Sequence, residues 1–392
     1  MGTSKRTRPY VLDVETTTSN KGNPFDKSNW MVLLGLKEVG KEGVCYYEDE
    51  WESARQEIQS ILDNAAFLIL FNAKFDLHWL RNNGFDISNT TIWDCQLGVF
   101  ILGAQLNPYP SLDETLSDYG LPSKLDVVKT VYWDQGLDTW LVPDHVLSPY
   151  LLRDLQATEE VFLRQWELFK GENSKQFALF KLQCKDLLVL EEMEFNGIFF
   201  NTEKAIRYAD VLDRELDTIR SDLSKWTQGI SINLASNDHI SCLLFGGTIV
   251  DSYRVPVGVF KTGNKVGETR YKIMTKEYEF PRLITPLAGS ETKKEGYYQV
   301  NADVLNSLKP SKDIKKLIDL LNEFSKIEKL KNTYLLGWSK LITTMNWDKD
   351  MIHGVLNQCR AVTGRLSSSK PNLQNADPIT KKYCETIYDS QL

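Results

Sequence analysis

From Pro9 to Glu15 the chain reads Pro-Tyr-Val-Leu-Asp-Val-Glu, an apolar run that stops at acid. Strand residues alternate faces, so Asp13 and Glu15 share one side of a predicted strand. Residues 30–36 and 43–47 read as two further strands, and 50–64 as a polar helix. The run 67–71 is short and continuously apolar, as in a buried central strand. It gives way at Asn72 to a helix, with Asn72 as N-cap and Asp76 one turn later. Helices are predicted over 93–102 and 111–119. Ser148 then reads as an N-cap and Pro149 as a first helical residue, placing Tyr150 and Asp154 at i and i+4. A long helix over 177–196 stops at Gly197, and a second runs over 202–227. A helix start follows at 233–245. Alternating runs on either side of the glycine-rich turn 262–267 read as a β-ribbon. The pattern over 303–308 and 311–330 is helical again.

Composition narrows the class. The chain has 392 residues, 42% hydrophobic and 25% charged, enough for two or three globular domains. No apolar run has membrane length, and residues 1–8 lack the apolar stretch of a signal peptide. Six cysteines stand singly and four histidines are dispersed. That argues against a zinc or disulfide framework and for reduced thiols in a cytoplasmic compartment. The net charge of −7 does not advertise nucleic-acid binding, although a local basic face can still bind phosphate.

Two carboxylates on one strand face repel unless a cation lies between them. Either the strand simply leaves the core for solvent at Asp13 and Glu15, or the pair holds a hard divalent ion, magnesium or manganese. Asn72 and Asp76 read equally as a cap with a surface acid or as part of a site at a strand end. Tyr150 and Asp154 alone would be an ordinary amphipathic pair. No Ser-His-Asp or Cys-His arrangement competes, and neither His78 nor His145 has a recognisable partner.

The three motifs in order, Asp-x-Glu, Asn-x-x-x-Asp and Tyr-x-x-x-Asp, resemble the DEDDy type of proofreading 3′→5′ exonuclease over roughly residues 9–166. The resemblance implies an α/β, ribonuclease H-like domain with a mixed sheet flanked by helices. It implies that Asp13, Glu15, Asp76 and Asp154 bind two Mg2+ or Mn2+ ions, with Tyr150 orienting the attacking water. Asn72 would touch DNA.

Further along, Leu190 to Ile198, Asn233 to Phe245 and Ile327 to Tyr334 resemble family A DNA polymerases, where such strings build a mostly helical thumb. Thr363-Gly364-Arg365-Leu366-Ser367-Ser368-Ser369-Lys370-Pro371-Asn372-Leu373-Gln374-Asn375 resembles that family's string before the first palm motif. By resemblance Arg365, Asn372 and Gln374 contact the primer–template duplex, with Lys329 and Lys331 on the thumb. The expected division is 1–170 exonuclease, 171–245 connecting helices and thumb base, 246–300 β insertion, 301–360 thumb helices and 361–392 a truncated palm start. Asp389 echoes the palm's acidic motif but follows Asn375 by only 14 residues, and the echo reads as accidental. The expected function is the proofreading part of a bacteriophage-type family A DNA polymerase, acting on single-stranded 3′ ends and primer–template in the cytoplasm of an infected bacterium. A second polypeptide would bring palm and fingers, without which the chain would not polymerise DNA. The alternative is a non-catalytic DNA-binding subunit or a fragment of a split polymerase. A free-standing RNA-trimming nuclease leaves 363–375 unexplained.

Overall fold

The structure, a computed structural model, describes residues 8–124, 126–171, 173–227, 229–230, 232–263 and 265–385. Asp389 lies outside these residues. Two compact units divide the chain: one takes the described residues up to Thr202 and from Trp338 onward, the other is Glu203–Gly337.

The first unit opens with β1 (Arg8–Thr16), β2 (Met31–Glu38) and β3 (Gly43–Tyr47), an antiparallel meander. Helix α1 (Glu48–Asn64) carries the chain across to β4 (Ala65–Leu70), which pairs parallel to β1. Helix α2 (Ala73–Asn82) follows, then β5 (Ile92–Asp94), parallel to β4. The result is a mixed sheet of order β3-β2-β1-β4-β5. Trp93, expected in a helix, lies in β5, and α3 (Cys95–Leu102) starts only after Asp94. Apolar runs this short do not distinguish strand from helix. Here burial decides, since the Trp93 indole sits among Phe162, Phe169 and Phe180 and donates to Gln165.

Helices α4 (Leu112–Tyr119) and α5 (Val127–Val131) lead to α6 (Asp144–Lys170). The expected start at Ser148 is corrected: α6 begins at Asp144, and Pro149 lies inside it. As the sixth helical residue, Pro149 has no N–H to offer the His145 carbonyl, so α6 forfeits one backbone bond there. Ser148 instead meets the Tyr47 hydroxyl at 2.9 Å. Helix α6 lies close against β2 because Gly35 has no side chain. A Cβ there would come within 2.9 Å of Leu155 and 3.0 Å of Leu151. Leu34 and Leu36, on the opposite face by alternation, cluster with Ile58 and Leu62 of α1. Helix α7 (Ser174–Asn196) ends at Gly197, whose positive φ of 64° suits glycine, and β6 (Ile198–Phe200) follows.

The second unit holds α8 (Thr202–Thr227), α9 (Asn237–Phe245), the ribbon β7 (Gly247–Val259) with β8 (Thr269–Phe280), α10 (Ala302–Ser307) and α11 (Lys312–Lys329). Its core gathers Leu216, Leu243, Phe245, Leu317 and Phe324. The ribbon is longer than its apolar runs predict, pairing from Gly247↔Phe280 to Val259↔Thr269. The chain then returns through α12 (Leu336–Thr344) to the first unit. There β9 (Met351–Ile352) pairs with β6, β10 (Val355–Asn357) with β11 (Ser367–Ser369), and β12 (Cys384–Glu385) with the other edge of β6. Among the described residues no helix is long and apolar enough to cross a membrane.

Candidate active site

Asp13 and Glu15 stand at the end of β1, on the side that α6 covers. Asp13 is paired across the sheet with Gly35. The glycine that admits α6 thus also admits Asp154. Each of Asp13, Glu15 and Asp154 offers a carboxylate oxygen, all within 4.8 Å of one another. The fourth predicted acid sits beside this trio rather than in it. Pairing between β1 and β4 runs only as far as Val11, and the Val14 N–H beyond it donates to Asp76 at 3.1 Å. Asp76 also hydrogen-bonds Asp13, an arrangement that requires a proton between the two carboxyls.

Burial raises all four acids, and repulsion from neighbouring carboxylates adds to it. Asp13 is pushed up to about 7, first by burial and then by Asp154. Glu15 and Asp76 rise well above the usual carboxylate range, again through burial first and then Asp13. Asp154 rises through burial, opposed by the Lys124 ammonium beside it. Such groups protonate, or ionise around a cation. The donor set fits a hard divalent ion on two observations. It is all carboxylate oxygen, and Asp154 Oδ1 is buried with no hydrogen-bond partner.

Tyr150 lies one turn before Asp154 and is buried against Trp133. Burial and the neighbouring acids hold its phenol protonated. Lys124, which sequence reasoning missed, donates to Asp154 at 3.2 Å and to the Tyr150 hydroxyl at 3.4 Å. It comes from the connection before α5, and nothing in Leu121-Pro122-Ser123-Lys124 announces a site residue. Beside the acids opens a cleft of about 370 Å³, lined among others by Glu15, Thr16, Lys21, Phe75, Trp133 and Thr139.

Other predicted residues have other roles. Asn72 occupies the N-cap position of α2 with a left-handed φ of 65°, and its side chain does not cap. Asp94 does that work, accepting from Ala73 N at 2.8 Å and from Leu97 N at 2.9 Å. Its place just before α3 was legible only once Trp93 is assigned to a strand. Arg365 is exposed in the connection between β10 and β11. Asn372 accepts from the Gln374 and Asn375 backbones, and Gln374 donates to Leu366 O at 3.0 Å, so both shape their own loop. Lys329 is exposed, whereas the Lys331 ammonium is held by Asp213.

His78, expected to lack partners, has two. Its Nε2 lies 3.0 Å from Glu194, and its Nδ1 lies 3.1 Å from Glu191, too poorly aligned for a hydrogen bond. Lys74 also pairs with Glu194 at 2.6 Å, and Arg81 with Glu191 at 2.7 Å. Glu194 further accepts from Leu356 N at 2.5 Å. Helix α2 is therefore clamped to α7 and β10 on the side away from Asp76.

Comparison with known proteins follows the same lines. The profile of DNA polymerase family A matches residues 271–388. The chain is similar to DNA polymerase I of Bacillus subtilis (strain 168), 27% identical over 307 residues, spanning 78% of this chain and 29% of the relative. It is 28% identical over 352 residues to DNA polymerase I of Bacillus caldotenax, spanning 88% of this chain and 34% of the relative. It is 24% identical over 400 residues to the DNA polymerase of Bacillus phage SP01, spanning 94% and 42%. The chain thus spans about a third of the length of the curated relatives it matches. In fold it resembles the POL domain of Pol1 from M. smegmatis, solved in complex with DNA primer-template and dNTP. The TM-score is 0.65 at 18% identity, over 96% of this chain and 54% of that one.

Proposed function

We propose that this family A polymerase-like chain carries a DEDDy 3′→5′ exonuclease that hydrolyses DNA 3′ ends. One observation carries the reading: three buried or half-buried carboxylates from β1 and α6 converge within 4.8 Å, one of them keeping an unsatisfied oxygen. Asp13, Glu15 and Asp154 would hold divalent magnesium or manganese, with Asp76 serving a second ion once its shared proton leaves. When bound, such ions lower the pKa of water and stabilise a departing oxygen.

The protein's own groups do the rest. Tyr150, kept protonated, donates its hydroxyl hydrogen and so fixes the orientation of a water beside Asp154. Lys124 places a positive charge beside the same carboxylate, where it favours ionised Asp154 and attracts a phosphate. The cleft beside Glu15 offers threonine hydroxyls and the rings of Phe75 and Trp133 to a terminal nucleotide, whose base stacks on such faces. Arg365 and Lys329, both exposed, are the residues proposed to contact primer–template. Asn372 and Gln374 contribute by shaping the loop around Arg365.

Digestion of a labelled single strand with magnesium tests the reading. The Asp13→Ala, Asp154→Ala double variant should lose at least ~10³-fold in rate while staying folded, because it removes ligands and relieves repulsion. Digestion at the wild-type rate by that variant would sink the assignment.

A further inference from the structure

The β7–β8 ribbon carries a charge opposite to that of the chain. Residues 252–276 hold Arg254, Lys261, Lys265, Arg270, Lys272 and Lys276 against the single acid Glu268, a net of +5 in a chain of net −7. The root is different. Asp251, Glu277 and Glu279 lie there, and Ile249 and Phe280 are buried in the core of the second unit. The six cations are all exposed, and among the described residues none is held in an ion pair. A cationic surface whose few neighbouring acids, Asp251 and Glu268, do not neutralise it is what a polyanion partner requires.

The register says how the charge is displayed. Val255↔Lys272 and Asp251↔Lys276 point to one face, while Arg254↔Ile273 points to the other. Cations thus leave both faces of a two-stranded rod. The exposed apolar side chains are interleaved with them, Tyr253 opposite Met274 and Tyr271 opposite Pro256. Such cross-strand pairs are what a free-standing ribbon needs to hold its own register. They form no groove, which weighs against a protein partner. Thirteen residues of strand reach about 40 Å, a little more than the ~34 Å of one turn of duplex DNA. The major groove of B-DNA admits a two-stranded ribbon and is walled by phosphates on both sides.

We propose that β7–β8 is a duplex-DNA arm, its cationic outer half lying along the phosphate-walled groove and binding without regard to sequence. This rests on the reading that DNA is the substrate, and adds a second, independent contact to it. Neutralising exposed side chains in the arm should leave folding and the acid cluster unchanged.

The test uses the full chain and a fluorescent 30-base-pair duplex, with anisotropy titrations from 50 to 200 mM salt. Lys261→Gln, Lys265→Gln, Arg270→Gln and Lys272→Gln combined should weaken binding at least tenfold at 100 mM. The slope of log affinity against log salt should become shallower by up to about 3.6, as expected when four phosphate contacts are lost. Digestion of a short single strand by this variant should match wild type. An unchanged salt slope and affinity would overturn the arm and leave the apolar side chains of the ribbon to a protein partner. Loss of the nuclease reading would appear separately, as a wild-type chain that fails to digest the single strand whatever its duplex affinity.

Discussion

Asp13, Glu15 and Asp154 are held closer than like charges tolerate without a proton or a cation between them, and their titration follows from that. Without metal these acids take up protons in the folded state at pH values where they are ionised in the unfolded chain. Asp13 does so up to about 7. Between about pH 4.5 and 7 the folded state therefore binds more protons, and stability falls as pH rises. The reverse contribution of Glu191 and Glu194, whose carboxyls are lowered despite burial by His78 and by Arg81 or Lys74, is lost only at lower pH. Melting in EDTA should show a Tm lower at pH 8 than at pH 5 by roughly 5 °C. Asp13→Asn should make the slope shallower, leaving the part due to Glu15 and Asp76, and saturating manganese should remove it. Tyr150→Phe should cut nuclease activity while calorimetric manganese affinity stays within about twofold, because the phenol orients water and is not a ligand. A large drop in manganese affinity would make Tyr150 a support of the metal site instead. At this scale the sequence was readable where chemistry follows spacing: Asp13 with Glu15 by alternation, Tyr150 with Asp154 by helical turn. Lys124 was not, because it reaches Asp154 across 30 residues of chain with no periodicity to connect them.

Helix α2 faces two ways. One side presents Asp76 to β1, and the other presents Lys74, His78 and Arg81 to Glu191 and Glu194. Removing the hub should be costly, since it strands buried His78 and half-buried Lys74. Glu194→Ala is expected to destabilise by about 3–5 kcal/mol, and Glu194→Gln by less because the amide oxygen still accepts from Leu356. Urea unfolding measures both. The string Leu190 to Ile198 stood out in the sequence, but its acids gave no hint of their partners, which lie more than a hundred residues away. The start of α6 was misplaced for a related reason. Ser148-Pro149 has the local grammar of a helix start, and the fold overrides it because Pro143 already provides one. Gly35 looked like an ordinary strand residue, yet its missing side chain sets the distance from α6 to the sheet.

The two units have separate cores, one around the sheet and one around α8, α9 and α11. Unfolding should accordingly show two transitions in calorimetry. Glu194→Ala should lower one and leave the other unmoved; a single transition displaced as a whole would show that the units melt together. Most strands and long helices of both units were readable from period and punctuation. What was not readable was closure. The strands β9 to β12 are two or three residues long, too short to carry a pattern, and pair through partners fixed only by the fold.

That closure has a consequence for how the protein is made. The first unit is discontinuous: β6 finds β9 and β12, and Glu194 finds Leu356, only after the whole of Glu203–Gly337 has been synthesised. On the ribosome the five-stranded sheet has all its strands by Asp94, yet the inserted unit is complete before the first unit can close. What waits is the end of α7 with β6, because Glu194 stays without Leu356 for 162 residues of further synthesis. At 5–20 residues per second that wait is on the order of ten seconds or more. A released fragment ending at residue 337 should accordingly resist protease over Glu203–Gly337 while remaining cleavable around Leu190 to Gly197.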